Sequence, residues 1–295
     1  MFTIQTKGDI FKKKALSLVL AVLLVVSCAF VLTSCGGKEE KIVIAVPNDT
    51  TNEARALLLL EANGIIKLKE DAGITATVMD ITENPKGIEF KEVEAAQLPN
   101  ILQDVDYAVI NSNYAIAAGL NPMEKALTME GSASAYSNIL AVKEGTEDSD
   151  KVKALVAALE SDKVADYITK TYEGAVVSVV ENPTDGYSKD VDYDALKGQT
   201  ITVAASPAPH AEILAIAKDI LKAKGVELKV IEYTDYVQPN NVVDSGEVDA
   251  NYFQHKPYLD DFNAENGTKV ICVSYVHVEP MGLYGGKQAS LDAVK

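Results

Sequence analysis

Asp249-Ala-Asn-Tyr-Phe-Gln-His-Lys-Pro-Tyr258 is the stretch on which the reading of this chain turns. Val248 and Ala250 read as the end of a buried strand. After them come Asn251, Tyr252, Phe253, Gln254, His255 and Tyr258, too polar for a core and too aromatic for a plain loop. Such a mixture at a strand end, ahead of a helix, suits a pocket for a small amphipathic ligand. The alternative is a strand edge covered by aromatic rings. A second stretch, Pro47-Asn-Asp-Thr-Thr-Asn-Glu-Ala-Arg55, supplies what the first lacks, a place for an anion. Residues 41–46 are apolar and β-branched, so they predict a buried strand, which Pro47 ends. Thr50 with Glu53 three residues on reads as a capping box opening a helix through Leu57–Leu60. A strand, a tight turn and a helix N-terminus point unpaired N–H groups at an anion. Arg55 stands on the second turn of that helix, and its fork matches a carboxylate with two parallel bonds. The alternative for Arg55 is a surface ion pair.

Working outward, the pattern predicts strands at 74–81, 88–93 and 105–110, with a short helix at 98–102. The last of these strands ends in Asn111-Ser-Asn113-Tyr114, where asparagines either bind an amino or carboxylate group or form an Asx turn. Next come a strand at 139–142 and a single helix at 151–172. Residues 181–197 read as a polar linker. A second strand–turn–helix unit follows, with its strand at 201–205 and its helix at 210–224, and then strands at 226–231 and 269–278. Gln97-Leu-Pro-Asn100 leads to Val105-Asp106 much as Gln238-Pro-Asn240 leads to Val248-Asp249. The likeness suggests an α/β fold of two lobes built alike, each presenting strand ends to a shared cleft.

The chain has 295 residues, room for two domains, and 47% hydrophobic with 24% charged residues is a globular composition. Residues 1–34 carry a net +3, so the body from Cys35 stands at −19 within a chain of −16. That acidity argues against nucleic acid as a partner. Of the three cysteines, Cys28 and Cys35 lie in the N-terminal leader, so the body has no disulfide framework; Cys272, in an apolar run, reads as a buried inert thiol. Lys12-Lys-Lys14, an apolar stretch over 15–32 and small residues after it make a secretory signal. The rival is a transmembrane anchor. Leu32-Thr-Ser-Cys35 decides between them, because it resembles a bacterial lipobox: 1–34 would be removed and Cys35 lipidated.

The body resembles the NlpA/MetQ family of methionine-binding lipoproteins over about 41–180 and 198–295. The resemblance rests on Pro47-Asn-Asp-Thr-Thr-Asn-Glu-Ala-Arg-Ala-Leu-Leu-Leu-Leu60, Glu94-Ala-Ala-Gln-Leu-Pro99, Asp249-Ala-Asn-Tyr-Phe-Gln-His-Lys-Pro-Tyr-Leu259 and His277-Val-Glu-Pro-Met-Gly282. It implies a two-lobed, periplasmic-binding-protein-like fold with a ligand cleft between lobes. One lobe would comprise 41–136 plus 282–295 and the other 137–281, with hinge crossings near 137–139 and 280–283. It implies that the chain binds methionine or a close analogue for an ABC permease and its ATPase subunits. The protein would be a monomer, lipid-anchored on the extracytoplasmic face of the cell membrane, with no cofactor. By the same resemblance, Arg55 takes the ligand carboxylate and Asn111 helps hold its polar end. Tyr236, Tyr252, Phe253, His255 and Tyr258 line the side-chain pocket, where aromatic rings suit a thioether. Loss of Arg55 is then expected to cost binding and leave the fold intact. The departure from the family is order: its first half stands second here, as in a circular permutation, with 181–197 joining the old termini. A rearranged or truncated inactive fragment is the other reading of that order.

Enzyme motifs are missing from the sequence: it contains no Gly-x-Ser-x-Gly, no phosphate-binding loop and no dinucleotide glycine pattern. His210, His255 and His277, with Glu279 nearby, are the remaining rival, as ligands of a zinc-binding lipoprotein or a metallohydrolase.

Overall fold

The structure, a computed structural model, describes residues 41–131 and 136–295. The leader 1–34 and Cys35 lie outside the described residues. Among the described residues no helix is long and apolar enough to cross a membrane.

Two separate sheets organise the body. The first runs Glu89–Val93, Val43–Pro47, Tyr107–Ile110, Gly282–Gly285 and Ala126–Met129. The second runs Glu227–Glu232, Thr200–Ala205, Ala250–His255, Ser137–Lys143, Val270–Val278 and Val177–Ser178. Each begins with three parallel strands and continues with an antiparallel one that has just arrived from the other sheet: Gly282–Gly285 in the first, Ser137–Lys143 in the second. The chain therefore passes from one sheet to the other between Met129 and Ser137, and returns between Val278 and Gly282. This is the two-lobed arrangement of a periplasmic-binding-protein-like α/β fold, with a cleft at the passage.

The likeness between the lobes extends to single residues. Asp106, just before the third strand of the first sheet, accepts the Val43 N–H at 2.9 Å. Asp249, in the same place in the second, accepts the Thr202 N–H at 2.7 Å. Their own amides donate to the carbonyls of those same residues, Val43 and Thr202. In both lobes a carboxylate ties the third strand to its neighbour, the second, and both third strands end at the cleft.

Several local expectations change. Residues 74–81 form two short 3-10 turns, Gly73–Thr75 and Val78–Asp80, with only Ile81–Glu83 extended. Ile74 and Met79 are exposed, 55% and 80%, while Ala76 is buried and Val78 and Ile81 pack on the core, so the run is buried on one side only and does not form a buried strand. The helix predicted over 151–172 is two, Asp150–Leu159 and Asp162–Tyr172. Ser161 divides them, its extended backbone and Oγ capping the second at Val164 N–H. The helix Thr50–Ala62 begins where expected but is capped by Asp49, whose carboxylate accepts the Asn52 N–H at 3.0 Å. Glu53 does not reach back to the helix start; it accepts the Val78 N–H at 2.9 Å.

The segment 181–197 is polar, but it is a docked strap and not a loose linker. Thr184 exchanges backbone hydrogen bonds with Glu160 and Asp162. Val191 and Leu196 are buried in the second lobe's core. Lys224 Nζ sits 4.4 Å from the Tyr187 ring centroid.

Candidate functional site

The third strand of the second lobe carries the aromatic part of the site. A register shift between Tyr252 and Gln254, against Ser137–Lys143, breaks the strict alternation of faces. Phe253, Gln254 and His255 consequently all reach one small cavity of about 20 Å3, lined also by Tyr236, Tyr258, Asn52 and Asn111. That is far below the roughly 300–1,000 Å3 of drug-sized pockets and has room for about one water, so the lobes must part further to admit a larger ligand. Tyr236, Phe253 and Tyr258 form a mutually contacting cluster, with centroids 5.8–6.1 Å apart. Tyr252 does not belong to it. Its ring lies on the core side of the strand, 0% exposed, and its hydroxyl meets His277 Nδ1.

The floor of the cavity is held by amides. Gln254 exchanges hydrogen bonds with Asn240 at 2.7 and 2.9 Å and donates to Asn251 at 2.9 Å. All three are buried, and this closed network fixes the strand end from behind. His255 Nδ1 accepts the Tyr258 N–H and caps the Lys256–Asn266 helix, so Nε2 carries the proton toward Asn52 Oδ1 at 3.4 Å. Burial, and then the charge of Arg55, push the His255 pKa well below its ordinary value, so the ring stays neutral.

The first lobe supplies the polar part. Asn52 lies one turn before Arg55 on the same helix face, and its Oδ1 accepts from Asn111 Nδ2 at 2.8 Å. Asn111 is 6% exposed, and among the described residues its Oδ1 has no hydrogen-bond partner. A buried acceptor left open toward a cavity is costly unless something donates to it.

Arg55 is buried and already engaged. Its Nε and Nη2 hold Glu130 at 2.6–2.9 Å, and Nη2 also donates to Glu279 O at 2.6 Å. The Tyr136 ring lies 4.6 Å from the guanidinium. Glu130 in turn accepts the Met281 N–H at 2.7 Å. The two bonds that the sequence reserves for a ligand carboxylate are therefore made to Glu130, and Arg55 is not among the residues lining the cavity. It borders the site through His255, whose ring feels its charge.

A model of the family described as NlpA lipoprotein matches residues 38–180 and 201–295. The chain belongs to the NlpA lipoprotein family. Among relatives of this NlpA protein, the membrane lipoprotein TpN32 of Treponema pallidum is 47% identical over 136 residues, 46% of this chain and 51% of its own. The D-methionine-binding lipoprotein MetQ of Escherichia coli K12 is 43% identical over 136 residues, 45% of this chain and 50% of its own. Among solved structures, a nutrient binding protein from Burkholderia cenocepacia bound to methionine is 48% identical, with a TM-score of 0.46, covering 49% of this chain and 61% of that one. The chain spans about half the length of the curated relatives it matches.

The rival histidine set does not assemble in this NlpA chain. His255 faces the cavity, while His210 and His277 meet Glu279 in a separate buried cluster. That cluster is a hydrogen-bond network: His277 Nε2 stands 2.6 Å and His210 Nε2 3.2 Å from Glu279 Oε1, and His210 Nε2 is 2.9 Å from Asn138 Oδ1. Burial pushes the pKa of His210 and of His277 down to about 3 and that of Glu279 up. Gln254 was named in the pocket stretch without a role; sequence reasoning missed Asn52, Glu130 and Tyr136. Asn52 was legible from its spacing to Arg55 and Gln254 from its place in the motif; nothing local marks Glu130 or Tyr136.

Proposed function

We propose that this chain is an extracytoplasmic substrate-binding protein that captures methionine or a close analogue and passes it to the permease and ATPase subunits of an ABC importer. The observation that carries the reading is the cavity between the lobes, with aromatic rings at one end and the open Asn111 Oδ1 at the other. The rings suit a thioether side chain. Asn111 Oδ1 suits the N–H groups of an α-ammonium, and Arg55, paired with Glu130 behind His255, supplies a positive field for the carboxylate. The names of the relatives and the methionine-bound neighbour point the same way. The lobes are taken as 41–136 plus 282–295 and 137–281, closing on one ligand per monomer. The family's two halves stand here in permuted order, with the 181–197 strap as their junction. Anchoring is assigned to Cys35, and Cys35→Ala should leave the membrane fraction; its retention there at mature length would contradict the anchor.

The test is a thermal-shift and calorimetric screen of the chain from Gly36 against the amino acids. Methionine should give the largest stabilisation. A chain reordered with 198–295 ahead of 41–180 should show the same preference. No shift with any amino acid in either order overturns the reading, and binding in the reordered chain alone would mean the present order is inactive.

A further inference from the structure

Besides the bonds at the chain crossing near 279–281, two hydrogen bonds join the lobes outside the cavity, away from that crossing. Tyr236 Oη, on the second lobe, donates to Asn113 Oδ1 on the first at 2.7 Å. Tyr114 Oη, on the first lobe, donates to Thr234 O on the second at 3.0 Å. The Tyr114 and Tyr236 rings lie 5.0 Å apart at 33°. Tyr236 is thus shared. It lines the cavity, its carbonyl accepts from the cavity residue Tyr258 at 3.1 Å, and its hydroxyl and ring meet the opposite lobe. Asn113 and Tyr114 do not line the cavity; with Ala208 and Thr234 they line a separate groove on the boundary between lobes.

We infer that Asn113 and Tyr114 are positioning residues that latch the cleft shut through Tyr236 and Thr234, setting how long a ligand stays without touching it. The inference rests on the proposed reading that the cavity holds a ligand. Each bond has its donor and acceptor on different lobes, so both are made only when the lobes are together. Ligand enters the open form, where neither bond exists, and leaves only after both break. The latch therefore slows release, and in the ligand-free chain it lowers the fraction of open form that a ligand can enter. Because Tyr236 faces the ligand on one side and the latch on the other, a ligand that fixes its ring also fixes the Asn113 bond.

Two variants test this. Tyr114→Phe removes one hydroxyl and keeps the ring; Asn113→Ala removes the other acceptor. A chase of radiolabelled methionine should show release about three- to tenfold faster in each, as expected for loss of one neutral hydrogen bond, with association no slower than in the wild type. Small-angle X-ray scattering of the ligand-free variants should show a larger radius of gyration than the wild type, a readout that needs no ligand. Wild-type release together with wild-type scattering in Tyr114→Phe overturns the latch. Failure of the wild-type chain to bind any amino acid overturns the ligand reading instead, and scattering then decides the latch by itself.

Discussion

At the scale of single residues, Arg55 does two jobs that oppose each other in any mutational test. Its guanidinium acts electrostatically on the cavity residue His255, and it also neutralises Glu130 and anchors the backbone at Glu279. The expectation that Arg55→Ala spares the fold is therefore corrected. Removing one member of a buried pair strands the other, at roughly 3–5 kcal/mol. Arg55→Ala should lower the melting temperature as well as ligand affinity. Most of the stability loss comes from the stranded Glu130 carboxylate, so Arg55→Ala/Glu130→Gln should recover part of it without recovering affinity. Paired melting curves and calorimetry check this, and a double variant less stable than Arg55→Ala would refute it.

At the scale of elements, the strand Gly282–Gly285 and the turn after it bring the chain back into the first lobe. The return depends on close approach. A Cβ on Gly286 would lie 1.9 Å from Leu102 O and 2.4 Å from Val105 O, while the Gly286 N–H donates to Asp106 O at 2.9 Å. Both obstructing atoms are backbone, so neither can turn aside. Gly286→Ala should destabilise the chain at or beyond the upper end of the roughly 1–3 kcal/mol typical of overpacking. Gly131→Ala, where nothing lies within 4 Å, is the control. Equal melting temperatures for the two variants would contradict the packing argument.

At the scale of the whole molecule, the lobes meet over buried titratable groups, and this fixes the sign of the pH response. His210, His255 and His277 are all buried with lowered pKa, two of them at about 3. Unfolded, they titrate near 6.5. Below about pH 6.5 the unfolded chain takes up protons that the folded chain refuses, so stability falls with pH. Each such proton adds about 1.4 kcal/mol per pH unit to the slope. Glu279 acts oppositely. Its raised pKa, like those of Asp49 and Glu53, favours folding on the acid side and is lost as pH rises through the folded value, so the three carboxyls offset the histidines toward the acid end of the window above 4.5. The melting temperature of the ligand-free chain should therefore drop as pH falls from about 7 to about 6, and less steeply below that. A profile flat from about pH 7 to about pH 6 would contradict histidines held neutral in the fold.

The sequence by itself determined the parts that local chemistry controls. Apolar runs and turn residues placed most strands of both lobes, though they put one at 74–81 where turns form and missed Ala126–Met129. The repeated short helix before Val105-Asp106 and Val248-Asp249 announced lobes built alike, and mixed polarity at the strand ends marked Asn111, Phe253 and His255 as cavity residues. Where a choice depended on distant partners, only the tertiary structure decided it. Tyr252 turns to the core because a bulge against Ser137–Lys143 resets the faces of its strand. Arg55 finds Glu130, 75 residues away, and Glu279 O, 224 residues away, because burial leaves a guanidinium no water to hold. His255 parts from His210 and His277 because strand alternation and the passage between lobes send them to different sides. Spacing along a chain specifies which face of a helix or strand a residue shares. Which opposite charge arrives at that face is settled by packing, where desolvation makes an unpaired group too costly to leave.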